Sequence, residues 1–158
     1  MNPHKNSFQR QFNASLTLLV LSIVFASAKA DPVSTTPGII DFPAEAPTGL
    51  ALYPVESTAD WQIEGDAPVT GARLDFSSTD GQFHVDYSYY SKQTAKFSSY
   101  PIDEFIYIIE GQVEMINTDG VGKLYGPGDM FLIPKGFQGT WRQLTPVKKI
   151  AVIHGDYI

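Results

Sequence analysis

The chain has 158 residues, a length that suits one folded domain, and it contains no cysteine. Its formal charge of −6 argues against a nucleic-acid partner, because an acidic surface repels phosphate backbones. The absence of cysteine excludes disulfides, and with only a few scattered histidines it also argues against a conventional zinc site.

The first 30 residues have the plan of a secretory signal peptide. His4, Lys5 and Arg10 make a basic start, and the apolar run LTLLVLSIVFA follows from Leu16 to Ala26. Ala28-Lys29-Ala30 is a small-x-small cleavage site, and cleavage after Ala28 is an alternative. The run is short against the ~20 residues that span a bilayer, so we predict no stable membrane anchor. The sequence therefore predicts a periplasmic or secreted protein.

Residues 31–48 are predicted to form an extended, proline-rich leader. Pro32, Pro37, Pro43 and Pro47 prevent a helix and supply no donors to a sheet. Once residues 1–30 are removed, 8 basic and 17 acidic residues remain, which gives a formal charge of −9. Residues 49–158 are predicted to be the folded domain, with ordered structure beginning around residues 50–55.

Short alternating segments separated by turn residues follow, and no window keeps the spacing of an amphipathic helix. In chain order they are TGARLDFS, QFHVDYSYY, EFIYIIE, QVEMIN, KLYG, DMFLIP, GTWRQL and VKKIAVIH. The first places Ala72, Leu74 and Phe76 on one face. The second separates an apolar face from a polar one that contains His84 and Asp86. About nine strands at this spacing predict an all-β protein, either an antiparallel sandwich or a closed barrel.

Two spacings carry a more specific signal. Glu104 is followed by six residues and then Gly111, and Gly128 is followed by five residues, Pro134, one residue and Gly136. This pair resembles the two signature motifs of the cupin superfamily. The stretches DEFIYIIEGQVEM, GPGDMFLIPKGFQGTW and LTPVKKIAVI are similar to the ureidoglycine-aminohydrolase-like single-domain cupins, a branch related to the ethanolamine-utilisation cupin.

The resemblance extends from about Gly71 to Ile153, and it implies a single jelly-roll β-barrel and a homodimer. It also implies where a metal would bind, because metal-binding cupins use two histidines and the glutamate of the first motif and one histidine of the second. Here the histidine pair falls on Ser98 and Tyr100, or on Phe97 and Ser99 if the loop is one residue longer.

The histidine of the second motif falls on Gly139, so that Glu104 alone remains of the four implied ligands. One carboxylate does not hold a transition metal against water, and we expect no metal and no other cofactor. A divalent metal in a non-standard site, with help from His84, stays open as an alternative. We otherwise expect His84 to be an ordinary surface or rim histidine and His154 to be exposed.

A pocket for a small ligand is predicted in place of the metal site. Its predicted ligand-binding residues are Ser98, Tyr100, Glu104, Phe131, Gln138 and Trp141. Trp141 lies two residues beyond Gly139 and points the same way on a strand, so the glycine is expected to leave room beside the indole. Glu104 is expected to be the lone acid in the barrel, either paired or protonated, because a bare buried charge is very costly.

Three functions remain open. The first is a metal-free module that binds a small polar ligand in the barrel. The second is a hydrolase, isomerase or lyase that uses Glu104 as general acid or base and Tyr100 as proton donor. The third is a scaffold that dimerises through its strands and has a vestigial pocket.

Overall fold

The computed structural model describes residues 38–43 and 46–156. The chain divides into two units, Met1–Ile40 and Asp41–Ile158. Of the first unit only residues 38–40 are described, and they are exposed and without regular secondary structure. The predicted signal peptide and the start of the predicted leader lie outside the described residues.

Eleven strands form the described part of the second unit, two more than the sequence predicts. They are β1 (Tyr53–Pro54), β2 (Trp61–Glu64), β3 (Val69–Ser77), β4 (Phe83–Tyr90), β5 (Thr94–Phe97), β6 (Asp103–Glu110), β7 (Val113–Asn117), β8 (Gly122–Tyr125), β9 (Met130–Ile133), β10 (Gly139–Gln143) and β11 (Val147–His154). Residues 38–43 and 46–156 contain no helix that is long and apolar enough to cross a membrane.

The strands form two antiparallel sheets. One has six strands in the order β1-β3-β4-β11-β6-β9, and the other has five in the order β2-β5-β10-β7-β8. Consecutive strands β4 and β5, β6 and β7, and β10 and β11 cross from one sheet to the other. This arrangement confirms the predicted all-β, jelly-roll fold.

The hydrophobic core lies between the two sheets. Ile106 and Ile108 of β6 and Ala151 of β11 join Val113 of β7 and Trp141 of β10 in one buried cluster. Strands β6 and β11 bury every second residue, as expected for strands with one face on a core. Each large apolar side chain buried in this way contributes about 1.5–3 kcal/mol to folding.

Strand β4 turns its polar face into this interior. Its register with β11 sets Asp86 opposite the fully buried Ala151, and directly opposed residues point to the same face. His84 and Ser88 therefore face inward as well. The prediction of a surface or rim position for His84 is wrong, since the residue is 4% exposed and its Nε2 lies 2.8 Å from the Gly81 carbonyl oxygen.

A β-bulge in β3 changes the predicted face of one aromatic residue. Leu74 lies opposite Asp86, whereas Phe76 lies opposite Val85, so one residue of β3 between them has no partner. The extra residue turns Phe76 to the outer face, because side chains alternate with a period of two. The prediction that Phe76 shares a face with Leu74 is therefore wrong.

The turn between β6 and β7 depends on Gly111. This glycine has φ 90°, and a Cβ atom there would lie 2.0 Å from the carbonyl oxygen of Pro146. Gly120 has a similar φ of 82°, but a Cβ atom there would meet nothing within 4 Å. The two glycines therefore share a conformation and differ in their surroundings.

We predict that Gly111→Ala destabilises the protein more than Gly120→Ala. Positive φ alone costs roughly 1–2 kcal/mol for a residue with a Cβ atom, and only Gly111→Ala adds a collision with backbone. Urea unfolding of both variants measures the difference. Equal losses of unfolding free energy would show that the β6–β7 turn relaxes freely and that the contact with Pro146 is unimportant.

Candidate functional site

Glu104 points into the interior from the central part of the six-stranded sheet. It lies on β6, opposite Ile153 of β11 and Ile133 of β9, and both neighbours are buried. The Glu104 side chain is itself buried, with the residue 3% exposed. The predicted inward position of this carboxylate is confirmed.

Lys149 brings a buried ammonium group to this carboxylate. Its Nζ donates a hydrogen bond to Oε1 of Glu104 and forms an ion pair with it, and the lysine residue is 6% exposed. Lys149 lies opposite Ile108 on β6, four residues from Glu104, which is about 13 Å along a strand. The aliphatic chain of the lysine therefore has to run lengthwise through the interior to reach Glu104.

Tyr100 holds the second oxygen of the carboxylate. Its hydroxyl donates to Oε2 of Glu104. The backbone fixes the tyrosine, because the Tyr100 amide donates to the Phe137 carbonyl at 2.9 Å and the Gly136 amide donates to the Tyr100 carbonyl at 2.7 Å. The turn that precedes β10 thus sets the position of the phenol.

The surroundings shift the pKa values of these groups upward. Burial, followed by the charge of Glu104 and the hydrogen bond to it, raises the pKa of Tyr100 well above its ordinary value. Burial alone would lower the pKa of Lys149, but the charges of Glu104, Tyr90 and Asp86 outweigh it, and the pKa rises above that of an ordinary lysine. Tyr100 therefore stays a neutral donor at neutral pH, and Lys149 stays a cation.

An aromatic pocket opens above this group. Its empty volume is about 290 Å³, including the open mouth, and it is lined by Trp61, Tyr90, Gln93, Phe97, Tyr100, Glu104, Trp141 and Lys149. The ring centroids of Trp61 and Phe97 are 5.3 Å apart, and those of Phe97 and Tyr100 are 4.9 Å apart, both in edge-on geometry. Because this volume includes open solvent, the enclosed part of the pocket is much smaller and admits only a small ligand.

The structure brings together three of the six residues that the sequence predicts for the pocket: Tyr100, Glu104 and Trp141. Ser98 is exposed, and its hydroxyl donates to Oδ1 of Asp60 at 2.6 Å. Gln138 is exposed in the turn before β10. Phe131 packs behind the indole of Trp141, at a centroid distance of 6.2 Å, and is not among the lining residues.

The room expected at Gly139 is absent. A Cβ atom there would lie 2.4 Å from the Ile116 carbonyl oxygen and 2.6 Å from the ring of Phe137. The space that a side chain at this position would need is therefore filled by the neighbouring strand β7 and by a phenylalanine. The open volume lies on the other side of Trp141, toward Tyr90 and Lys149.

The interior also contains more charge than the sequence predicts. Glu104 is not the lone acid, because Asp86 is 5% exposed and lies on the inward face of β4. Lys149 was not singled out in the sequence at all. His154 is exposed as predicted, with 71% of its side chain accessible.

The residues present do not fit a transition metal at Glu104. Both carboxylate oxygens are already engaged, one by the ammonium of Lys149 and one by the phenol of Tyr100. Among residues 38–43 and 46–156, no three His, Cys, Asp or Glu side chains gather in an arrangement that could hold an ion. A fixed ammonium group beside the carboxylate would also repel a metal cation.

Comparison with known proteins agrees with this fold. Residues 88–151 match the family model described as the EutQ-like cupin domain. These residues, which make up less than half of the chain, are thus similar to a cupin domain. The matched residues include Tyr100, Glu104, Trp141 and Lys149, which form the floor and one wall of the pocket.

Solved structures are similar to this cupin domain at low sequence identity. A protein of unknown function from Pseudomonas syringae pv. tomato is 19% identical, over 65% of this chain and 44% of that chain, with a TM-score of 0.54. The EutQ protein of Clostridium difficile is 20% identical, over 56% of this chain and 69% of that chain, with a TM-score of 0.48. No curated protein matches the sequence. The first likeness supports a shared fold and says nothing of activity.

Five pocket residues were missed by the sequence analysis as ligand contacts: Trp61, Tyr90, Gln93, Phe97 and Lys149. Lys149 had only an ambiguous signal, because it shares a face with Val147, Ala151 and Ile153, but the opposite face of β11 also carries apolar residues. Gln93 had none, since it lies just before a strand, β5, that the sequence did not predict.

We predict that stability falls as the pH rises above about 10. The unfolded chain releases the protons of Tyr100 and Lys149 near pH 10, whereas the folded chain keeps them because both pKa values are raised. The folded state then binds more protons, and each such proton lowers the unfolding free energy by about 1.4 kcal/mol per pH unit. Below pH 10 this contribution is fully present.

Urea unfolding between pH 8 and about pH 11 measures this slope. Tyr100→Phe should reduce the slope of the unfolding free energy against pH by the contribution of about one proton. Tyr53→Phe, which changes an exposed phenol on β1, should leave the slope as it is in the native protein. An alkaline slope that Tyr100→Phe does not alter would contradict the buried, neutral state of this phenol.

Proposed function

We propose that this protein binds a small polar ligand inside its cupin barrel without the usual cupin metal. The observation that carries the proposal is the Glu104–Lys149–Tyr100 group at the floor of an aromatic pocket. Aromatic walls with a few fixed polar groups are the usual composition of a small-molecule site. The polar groups are already held in place, so a ligand would not have to order them.

The protonation states favour binding over proton transfer. A phenol with a raised pKa is a hydrogen-bond donor rather than a base at neutral pH, and a lysine with a raised pKa is a cation rather than a nucleophile. Glu104 remains as the candidate acid or base, since each of its oxygens accepts one hydrogen bond and keeps a second lone pair. A general base needs such a lone pair within reach of the proton it removes, and this role belongs to the second candidate function.

An enzyme of the hydrolase, isomerase or lyase kind is the second candidate. The contact between Glu104 and Tyr100 favours it, because a carboxylate bonded to a phenol is a pair through which a proton can pass. In that case a ligand would displace one partner of Glu104 on binding. Consumption of a bound ligand, lost in Glu104→Gln, would distinguish an enzyme from a binding module.

The remaining predictions from the sequence stay proposals. They are export to the periplasm or outside the cell, a homodimer, and membership of the ureidoglycine-aminohydrolase-like branch. The dimer is supported by apolar side chains on the outer face of the six-stranded sheet, where Phe105, Met130, Leu132 and Ile150 are exposed. Similarity to this branch does not imply its activity, because Ser98, Tyr100 and Gly139 stand where the histidine ligands are implied.

We predict that a fragment library contains molecules that raise the melting temperature of the native protein but not of Glu104→Gln or Lys149→Met. A ligand that binds only the folded state stabilises it by RT ln(1 + [L]/Kd). Lys96→Met is the matched control, because Lys96 lies on β5 with 59% of its side chain exposed. A shift that survives both pocket variants would place binding elsewhere.

We predict that the purified protein carries far less than one metal ion per chain. The ammonium of Lys149 already pairs with the carboxylate of Glu104 and repels a further cation, and Tyr100 donates to the second oxygen. Elemental analysis of protein produced with added manganese, iron, nickel and zinc measures the content. A stoichiometric metal that disappears in Glu104→Ala would overturn the metal-free proposal.

A further inference from the structure

Two buried polar atoms in the pocket lack a hydrogen-bond partner among the residues that the structure describes. They are Nε1 of Trp61, which is a donor, and Oε1 of Gln93, which is an acceptor. Both residues line the same pocket, and Gln93 is 6% exposed. Buried polar atoms are nearly always paired, because an unpaired one keeps the full cost of its desolvation.

The orientation of the Gln93 amide is fixed by a chain of hydrogen bonds. The indole of Trp141 can only donate, and its Nε1 lies 2.8 Å from Oε1 of Gln143, which identifies that atom as oxygen. The same oxygen accepts from Nε2 of Gln93 at 3.0 Å. The amide nitrogen of Gln93 is therefore used, and its oxygen is left as an acceptor without a partner.

Gln143 is itself held in place. Its Nε2 donates to three backbone carbonyls, those of Tyr90, Ser91 and Thr145, at 3.2 to 3.3 Å. Its backbone amide donates to the Gln93 carbonyl at 2.8 Å, so main chain and side chain both connect the two glutamines. A flip of Gln143 would set its donor against the donors of Trp141 and Gln93, and a flip of Gln93 would set its oxygen against the oxygen of Gln143. The structure thus fixes the position of Oε1 of Gln93 as an unpaired acceptor in the pocket lining.

The charges that line the pocket cancel. They are the carboxylate of Glu104 and the ammonium of Lys149, which form an ion pair with each other. A charged ligand would bring a further buried charge without a partner in the lining, at a cost that a neutral ligand avoids. The nearby buried carboxylate of Asp86 disfavours an anion further, and an uncharged ligand with both a donor and an acceptor suits the unpaired atoms of Trp61 and Gln93.

We propose that the ligand belongs to the class of small uncharged amides, such as lactams and carboxamides. Gln93 Oε1 accepts the N–H group of the ligand, and the indole N–H of Trp61 donates to a carbonyl oxygen of the ligand. The flat amide lies against the aromatic rings of Trp61, Phe97 and Trp141. This inference rests on the proposed function, since it names the ligand of the same pocket.

Three five-membered rings of similar size test the proposal with the full chain: 2-pyrrolidinone, cyclopentanone and the pyrrolidinium cation. The lactam has an N–H donor and a carbonyl, the ketone has only the carbonyl, and the third carries a charge. Titrations followed by protein NMR should show the lactam binding about five- to a hundredfold more tightly than the ketone, because the ketone leaves Gln93 unpaired. The pyrrolidinium cation should bind more weakly than the lactam.

Two variants separate the two contacts. Gln93→Met removes the acceptor and should reduce lactam affinity to that of the ketone, with ketone affinity unchanged. Trp61→Phe keeps a ring but removes the donor, and it should weaken both carbonyl compounds by a similar factor while preserving their ratio. The comparison of ligands on the native protein needs no variant and stands even if one fails to fold.

Each outcome is decisive. Equal affinities for lactam and ketone on the native protein would overturn the amide assignment and leave the proposed function intact. Tightest binding by pyrrolidinium, or binding of other fragments through Glu104 with no response to the lactam, would do the same. If neither the three rings nor any library fragment binds, the unpaired atoms are served by water alone, and both this inference and the proposed function are wrong.

Discussion

The buried ion pair between Glu104 and Lys149 is the interaction on which the rest of the site depends. Each charge would be very costly alone inside the barrel, and removal of one partner from such a pair typically costs about 3–5 kcal/mol. Tyr100 donates a hydrogen bond to the second oxygen of the carboxylate. The centre of the Tyr90 ring lies 5.5 Å from the ammonium of Lys149. The two charges of the pair offset each other within the pocket lining.

The topology makes this pair by joining residues that are distant in the sequence. Strands β6 and β11 are neighbours in the six-stranded sheet, and both turn alternate residues toward the core. Lys149, at an inward position of β11, pairs its charge with Glu104 by extending along the interior. The opposite sheet contributes the indole of Trp141 and the amides of Gln93 and Gln143. One sheet thus supplies the charges, and the other supplies neutral hydrogen-bonding groups.

The same geometry gives a physical reason why the glutamate in this barrel is satisfied by groups of the chain itself. The ammonium of Lys149 provides the positive charge that this carboxylate needs, and it is covalently part of the chain. A purely structural role for the pair would leave Trp61 and Gln93 unexplained, because neither is needed to satisfy Glu104. A ligand of the proposed class would pair both atoms.

The sequence by itself determined the all-β class and most of the strands, because period-two alternation and turn residues act locally. The resemblance to the cupin motifs gave the inward direction of Glu104, and the offsets of Tyr100 from Glu104 and of Trp141 from Gly139 led to two residues that line the pocket. Only the tertiary structure decided which polar residues face inward: β4 and β11 carry apolar side chains on both faces, so alternation could not show that Asp86 and Lys149 are inside. Ser98 and Gln138 lie outside the predicted site, because they are in turns, where no periodicity determines the direction of a side chain. Partners for a buried charge come from strands far apart in the chain, and pairing across such distances is set by register and packing rather than by local pattern.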